Sequence, residues 1–369
     1  MKFSCEKGNL LEKILIAHDI ISAKSTISIL ANVLLTANEN TLFIQATDIK
    51  VSFSSSLGAY VKDPGTAVVY CDRLLEILRV LPEGEIDFCL DENMLLSIVP
   101  QNAKTTYKLK CIAADKYPPQ PTIEEGEFIV FPQRDFIEMI TQTIFAISDD
   151  ETRFYLNGVY LEKNADKINM VATDGRRLAL VVKDFTHANA ELNGCIIPPK
   201  ILNIVKKYSI GEGNLKIAVK DKIIFIKTGD YLFTSTLLEG KFPNYQKIIP
   251  EETTYKVILD RKQFEEAIKR VSILIENKTK SIFFQLKTNT MLISSEESEI
   301  GKAQDEINCH YGGPEILLVF NYNYILEPLR VINDPKIELD FNDAQRTVIL
   351  KPLGSNNYLN IIMPLQTND

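Results

Sequence analysis

The sequence predicts an α+β protein built from three copies of one domain, each with two helices on one face of an antiparallel sheet. Three observations predict it. Ala46-Thr47-Asp48 recurs as Ala172-Thr173-Asp174. Asp115-Lys116-Tyr117-Pro118 recurs as Gly240-Lys241-Phe242-Pro243. A short strand running into a helix start stands at residues 3–14, 128–140 and 255–268. The repeat is about a third of the 369 residues, too long for a solenoid unit and the size of a small domain. The predicted domains are 1–122, 127–249 and 252–369, with linkers near 118–126 and 250–254 that are rich in Pro and acidic residues. Triplication points to a symmetric architecture, a ring or an arc, more than to a single catalytic cleft.

Each copy opens on a strand and a helix. The helix is predicted over 9–21 in copy one, where Leu10, Leu11, Ile14 and Leu15 fall on one side, and over 135–144 and 261–274 in the others. A second helix starts near Asp72, with Leu74, Leu75, Ile77, Leu78 and Leu81, and its counterparts are 200–208 and 322–332. Turn residues follow each: Pro82-Glu83-Gly84, Gly211-Glu212-Gly213 and Asn333-Asp334-Pro335. Alternation then marks strands at Ile86, Phe88 and Leu90, at Leu215, Ile217 and Val219, and at Ile337, Leu339 and Phe341. Further period-two strands lie at 41–46, 51–55, 223–228 and 231–237, the last two joined by Gly229-Asp230, which suits a tight hairpin. Joined in an arc, the copies place helices on one side and strands on the outer wall. The bare edge strand at each end invites pairing with another subunit, most simply by two-fold closure.

Composition narrows the function. A net charge of -8 argues against a general phosphate-binding coat, although not against a local basic stripe. The N-terminus, Met1-Lys2-Phe3-Ser4-Cys5-Glu6-Lys7, lacks the apolar core of a secretory signal. No stretch reaches the roughly 18 apolar residues of a membrane span, so no membrane partner is expected. Cys5, Cys71, Cys89, Cys111, Cys195 and Cys309 are dispersed, with no Cys-x-x-Cys pair, and read as reduced thiols of a cytoplasmic protein. His18, His187 and His310 are also scattered, and Cys309 and His310, adjacent in a strand, point to opposite faces. No metal and no cofactor are expected. Phosphate-loop, dinucleotide and nucleophile-elbow motifs are missing, since Gly240-Lys241 is followed by Phe242. Asp149-Asp150-Glu151 reads as a solvated loop, and Asp174 as a turn acceptor because Asp48 holds the same place in copy one. No catalytic residue is expected.

Four strings are more specific. They are Arg153-Phe154-Tyr155-Leu156-Asn157-Gly158, Val171-Ala172-Thr173-Asp174-Gly175-Arg176-Arg177-Leu178, Lys241-Phe242-Pro243-Asn244-Tyr245 and Ile361-Ile362-Met363-Pro364-Leu365. In this order, on a triplicated chain, they closely resemble the bacterial DNA polymerase III beta subunit family, the replicative sliding clamps. The resemblance covers the whole chain. It implies the DNA-clamp fold, helices inside and strands outside, closed as a head-to-tail homodimer around duplex DNA and without catalysis of its own. It implies processivity for the replicative polymerase, with the polymerase alpha subunit, the clamp-loader delta subunit and other polymerases and repair proteins held through a peptide pocket. That pocket would use Leu156, Thr173, Gly175, Arg176, Arg177, Leu178, Pro243, Lys247, Ile248, Asn321, Tyr324, Met363, Pro364 and Leu365. Two departures stand out: Arg176 where the family often has histidine, and the ending Gln366-Thr367-Asn368-Asp369.

Sliding asks for a modest positive lining, and basic residues accompany all three helix pairs: Lys7, Lys13 and Lys24; Arg73 and Arg79; Lys200, Lys206 and Lys207; Lys262, Lys269 and Arg330. Lys24, Arg73, Arg153, Phe154, Tyr155 and Lys200 are the expected DNA contacts. Ile273 and Leu274, extra apolar residues at the end of a helix, and Tyr107 and Leu109, on a strand of copy one, are the expected dimer interface. Two other readings stand beside this one: a nuclease with Asp149, Asp150 and Asp174 as metal ligands, and a repeat-built scaffold that binds no nucleic acid.

Overall fold

The computed structural model describes residues 1–21, 28–185, 192–276, 278–299 and 301–366. The same order of elements occurs three times, with one extra strand, Tyr60–Asp63, in copy one. Copy one runs β1 Lys2–Glu6, α1 Lys7–Ile20, then β2 Asn32–Asn38, β3 Thr41–Thr47, β4 Val51–Gly58 and β5 Tyr60–Asp63. It continues through β6 Gly65–Tyr70, α2 Cys71–Val80, β7 Glu85–Leu90, β8 Leu95–Pro100 and β9 Tyr107–Ile112. Copy two runs β10 Ile129–Pro132, α3 Gln133–Thr143, β11 Val159–Asn164, β12 Lys167–Thr173, β13 Arg177–Asp184 and β14 Cys195–Ile197. It ends with α4 Pro199–Tyr208, β15 Asn214–Lys220, β16 Ile223–Thr228 and β17 Tyr231–Thr236. Copy three runs β18 Tyr255–Asp260, α5 Arg261–Ser272, β19 Ser281–Lys287, β20 Thr290–Ser295, β21 Gln304–Asn308 and β22 Ile316–Asn321. It closes with α6 Tyr322–Val331, β23 Lys336–Phe341, β24 Val348–Pro352 and β25 Tyr358–Ile362. No described helix is long and apolar enough to cross a membrane.

Local chemistry explains where the helices begin and end. α1 starts two residues before the predicted onset, because the Glu6 carboxylate accepts the Asn9 amide at 2.7 Å and caps the first turn. Asp260 caps α5 through the Gln263 amide in the same way. α5 stops at Ser272, so Ile273 and Leu274 lie just beyond the helix rather than within it.

The described residues form two compact units, Met1–Ile137 with Lys200–Leu237, and Glu138–Pro199 with Leu238–Asp369. The middle copy is therefore shared between them. In the first unit a 13-stranded sheet passes from copy one to copy two where β4 pairs with β17, Phe53 opposite Phe233. In the second, an 8-stranded sheet passes from copy two to copy three where β13 pairs with β25, Leu178 opposite Ile361. A 4-stranded sheet in the order β21-β20-β19-β22 completes copy three.

Burial removes two residues from the predicted positive lining. Lys7 is buried and holds Glu83 at 2.7 Å. Lys13 is buried beneath the β16–β17 hairpin, 2.7 Å from the Asp230 carboxylate and 4.9 Å from the Tyr231 ring centre. α1 is covered on that side by copy two, where the Tyr231 hydroxyl donates to Glu12 and Lys207 holds Asp19 at 2.5 Å. Lys13→Ala should cost about 1–3 kcal/mol of stability, since it removes the ion pair with Asp230 and opens a gap beneath Tyr231. Urea unfolding that shows no loss would refute this structural role.

Candidate functional site

The turn between β12 and β13 is built by side chains that bind their own backbone. Thr173 donates its hydroxyl to the Arg177 carbonyl (2.6 Å) and accepts the Gly175 amide (3.0 Å). Asp174 accepts the amides of Arg176 (2.8 Å) and Arg177 (3.0 Å). Asp48 does the same in copy one, accepting the Val51 amide at 2.7 Å. Asp150 accepts from the Thr152 amide and hydroxyl and from Arg153. Asp150 and Asp174 thus act as turn acceptors, and the described residues contain no group of His, Cys, Asp and Glu arranged to hold a metal. Gly175 has φ +87°, and a Cβ there would stand 3.0 Å from the Arg153 guanidinium, so glycine answers both a backbone and a space requirement.

This turn borders an apolar cluster. Leu156, Val171, Leu178, Leu180, Ile196, Phe242, Tyr245 and Ile361 are buried together, with Tyr155, Leu238, Ile249 and Leu359 packed against them. Leu156 and Leu178 are floor rather than open wall, because both are almost fully buried. The accessible apolar surface is supplied by Met363, 44% exposed, and Ile248, 41% exposed, with half-buried Pro243 and exposed Lys247 alongside. The C-terminal strand tail is pinned at two points: the Met363 amide donates to the Arg176 carbonyl (3.0 Å), and the Leu365 amide to the Val319 carbonyl (2.8 Å). Pro364 lies between these two bonds, half-buried.

The equivalent place at the first junction differs in chemistry while keeping the backbone. There the Thr236 amide donates to the Lys50 carbonyl (2.9 Å), as Met363 does to Arg176. Ser52, Ser54, Thr234 and Thr236 stand in the positions of Leu178, Leu180, Ile361 and Met363. At these four matched positions the second junction carries apolar side chains and the first carries hydroxyls. Ile361, Phe242 and Tyr245 were missed in the sequence reading. Their strings were noticed, but their convergence depends on the β13–β25 pairing.

Three polar residues of the expected pocket are engaged within the chain. Arg177 donates to Asp174 (3.1 Å), to Glu327 and to the Phe145 carbonyl (2.5 Å), and its guanidinium carbon lies over the rings of Tyr324 (4.6 Å) and Phe145 (5.6 Å). Asn321 caps α6 by accepting the Asn323 amide at 3.1 Å. Burial raises the Tyr324 phenol above its ordinary pKa, so it stays protonated.

The described residues among the expected DNA contacts fall in both units. Lys24 lies outside the described residues. Arg73 is exposed on α2 and pairs with Glu76 at 2.5 Å. Lys200 is held by Asp48 (2.5 Å) and the Ile20 carbonyl (2.7 Å). Arg153 and Tyr155 sit beside the turn and the apolar cluster just described, and Phe154 is exposed next to them. Of the expected interface residues, Ile273 is 77% exposed, and Leu274, Tyr107 and Leu109 are partly buried.

Three family models match the chain in order: the N-terminal domain of the DNA polymerase III beta subunit over residues 1–121, its central domain over 130–244 and its C-terminal domain over 246–366. The beta sliding clamp of Treponema pallidum is 37% identical, with 100% of both chains covered. That of Pseudomonas putida is 28% identical, covering 99% of this chain and 100% of its own. Among solved structures, the Bacillus subtilis sliding clamp superposes with a TM-score of 0.96 at 27% identity over 100% of both chains. A Pseudomonas aeruginosa sliding clamp bound to griselimycin does so with a TM-score of 0.92 at 26% identity, also over 100% of both.

Proposed function

The chain belongs to the DNA polymerase III beta subunit family and is a sliding clamp, a processivity factor rather than a catalytic subunit, and we propose that two copies close head to tail around duplex DNA. One observation carries the ring: the sheet crosses each junction between copies in the same register. Phe53 pairs with Phe233 at the first, and Ala179 with Asn360 at the second. The third junction lacks its partner. Among the described residues β21 pairs only with β20, and the Tyr107–Lys110 part of β9 only with β8, so both present edges there. A second copy satisfies both edges and repeats the junction.

The repeated register sets Tyr107 opposite Ala303, and Leu109 opposite Gly301, of the second copy. A Cβ at Gly301 would lie 3.6 Å from Leu274, so Leu109 arriving there covers Leu274. Charge supports the match. Lys104, Lys108 and Lys110 are exposed along β9. Beside Leu274 lies a cavity of about 670 Å³ lined by Glu276, Glu296, Glu297 and Glu299. The mass in solution tests the dimer, and retention on circular but not linear DNA, given a loader, tests the ring. A monomer, or equal retention on both, would overturn the reading.

Within the ring Arg73 and Lys24 face the sugar-phosphate backbone in this proposal, through contacts that are independent of sequence and sensitive to salt. Replacing both by Ala should lower duplex affinity or loading and flatten its salt dependence while leaving the dimer mass unchanged. Equal affinity at low salt would remove them from the contact. Arg153, Phe154 and Tyr155 flank the pocket, so contact with DNA there would reach the pocket rim.

The apolar site at the second junction holds short peptide segments with a Gln and two or three large apolar residues, such as those at the ends of polymerase alpha, clamp-loader delta and repair proteins. The griselimycin-bound structure of a relative supports a ligand pocket in this fold. The three domains proposed are 1–122, 127–249 and 252–369. Family membership and the lack of any spanning helix among the described residues support a cytoplasmic location.

A further inference from the structure

Resting on the pocket assignment above, we infer that Glu327 is a positioning residue that sets the pocket's width by holding the Arg177 guanidinium. Arg177 is largely buried, and its donors are spread over three pieces of chain: Asp174 in its own turn, the Phe145 carbonyl after α3, and Glu327 on α6. Its flat face is gripped by Phe145 and Tyr324. A planar, permanently charged fork filled in this way is a rigid strut. Its two ends carry opposite sides of the site. The β12–β13 turn bears Gly175, Arg176 and Leu178, while α6 bears Tyr324 one turn before Glu327. Tyr324 and Glu327 are both fixed on the same guanidinium, so the gap between turn and helix follows the Arg177–Glu327 bond.

The internal repeat supplies an independent comparison. At the first junction Val51 stands in the place of Arg177 and Asn203 in the place of Glu327, since Ile201, Leu202, Ile204 and Val205 are buried on α4 as Ile325, Leu326, Pro328 and Leu329 are on α6. Both charged ends of the strut are therefore exchanged together for uncharged residues, at the junction where Ser52, Ser54, Thr234 and Thr236 replace the apolar residues. The strut occurs where the apolar cleft occurs, which ties it to the ligand rather than to the domain.

The test uses the full-length dimer and a fluorescent peptide carrying a Gln and three large apolar residues. Glu327→Gln, which preserves side-chain volume, and Glu327→Ala should each weaken peptide binding, the latter by about tenfold, with the dimer mass kept. Glu327→Asp should recover part of the affinity, because it restores the charge. In an Arg177→Met background, with no guanidinium to hold, Glu327→Ala should add nothing further. Wild-type affinity in Glu327→Gln and Glu327→Ala, or an equal loss in both backgrounds, would overturn the positioning role. If the wild-type chain binds and Leu178→Ala does not, the pocket stands whatever Glu327 does; if the wild-type chain does not bind, pocket and strut fall together.

Discussion

Substituting Ile273 and Leu274 together by Ala is expected to turn the proposed dimer into monomers. Ile273 is the most exposed large apolar side chain at that end of α5, and Leu274 lies beside Gly301, where a residue on the partner's β9 would fit. Burying each is worth roughly 1.5–3 kcal/mol. Losing both weakens one interface by at least about a hundredfold, and a head-to-tail dimer contains that interface twice. Sedimentation at submicromolar concentration should then report one chain, with the fold retained by circular dichroism. A double variant that still sediments as a dimer would show that another surface closes the ring. High salt should act in the same direction more gently, because exposed lysines and glutamates attract across an interface that water still reaches.

The second large effect is expected at the pocket. Ending the chain before Met363 removes the residue that is most exposed among the apolar groups and both amide bonds that pin the tail, to Arg176 and Val319. A labelled peptide from the C-terminus of the cognate polymerase should lose about a hundredfold or more in affinity, since few residues carry most of the energy of such a site. The dimer should persist, because β21 and β9 are untouched. Full affinity after truncation would mean that the peptide docks elsewhere. Gln366 follows Leu365, and Thr367, Asn368 and Asp369 lie outside the described residues. Adding a lysine after Leu365 would show whether charge there matters to the peptide.

Much of this architecture was legible in the residues. The repeated Thr-Asp at Thr47-Asp48 and Thr173-Asp174 marks the same turn in both copies, because a side-chain acceptor two or three residues ahead of an amide acts locally. Period-two alternation marked strands such as β7, β15 and β23, and the spacing of Leu74, Leu75 and Leu78 marked α2, whose core face they form. Helix ends were less certain. The Glu6 cap moved α1 towards the N-terminus, since one carboxylate can satisfy an amide three residues on without any apolar signal.

Other features depended on contacts across long stretches of sequence. Lys7 and Lys13 carry positive charge on α1, yet both are buried, because Glu83 and the Asp230–Tyr231 hairpin come to them from far along the chain. Arg177 is an ordinary charged residue in the string that carries it; only the arrival of Phe145, Tyr324 and Glu327 makes it a strut. Ser52 and Leu178 hold matching places in matching strands, and each reads simply as a sheet residue. What turns one into a hydroxyl-lined surface and the other into the floor of an apolar cleft is the strand beside it, β17 or β25. The sequence by itself determined the three copies, their strands, helices and turns, since these rest on interactions among neighbours a few residues apart. The tertiary structure alone decided which junction can hold an apolar ligand and which charges face water, because a strand's periodicity says which residues share a face but not which distant strand will pair with its edge.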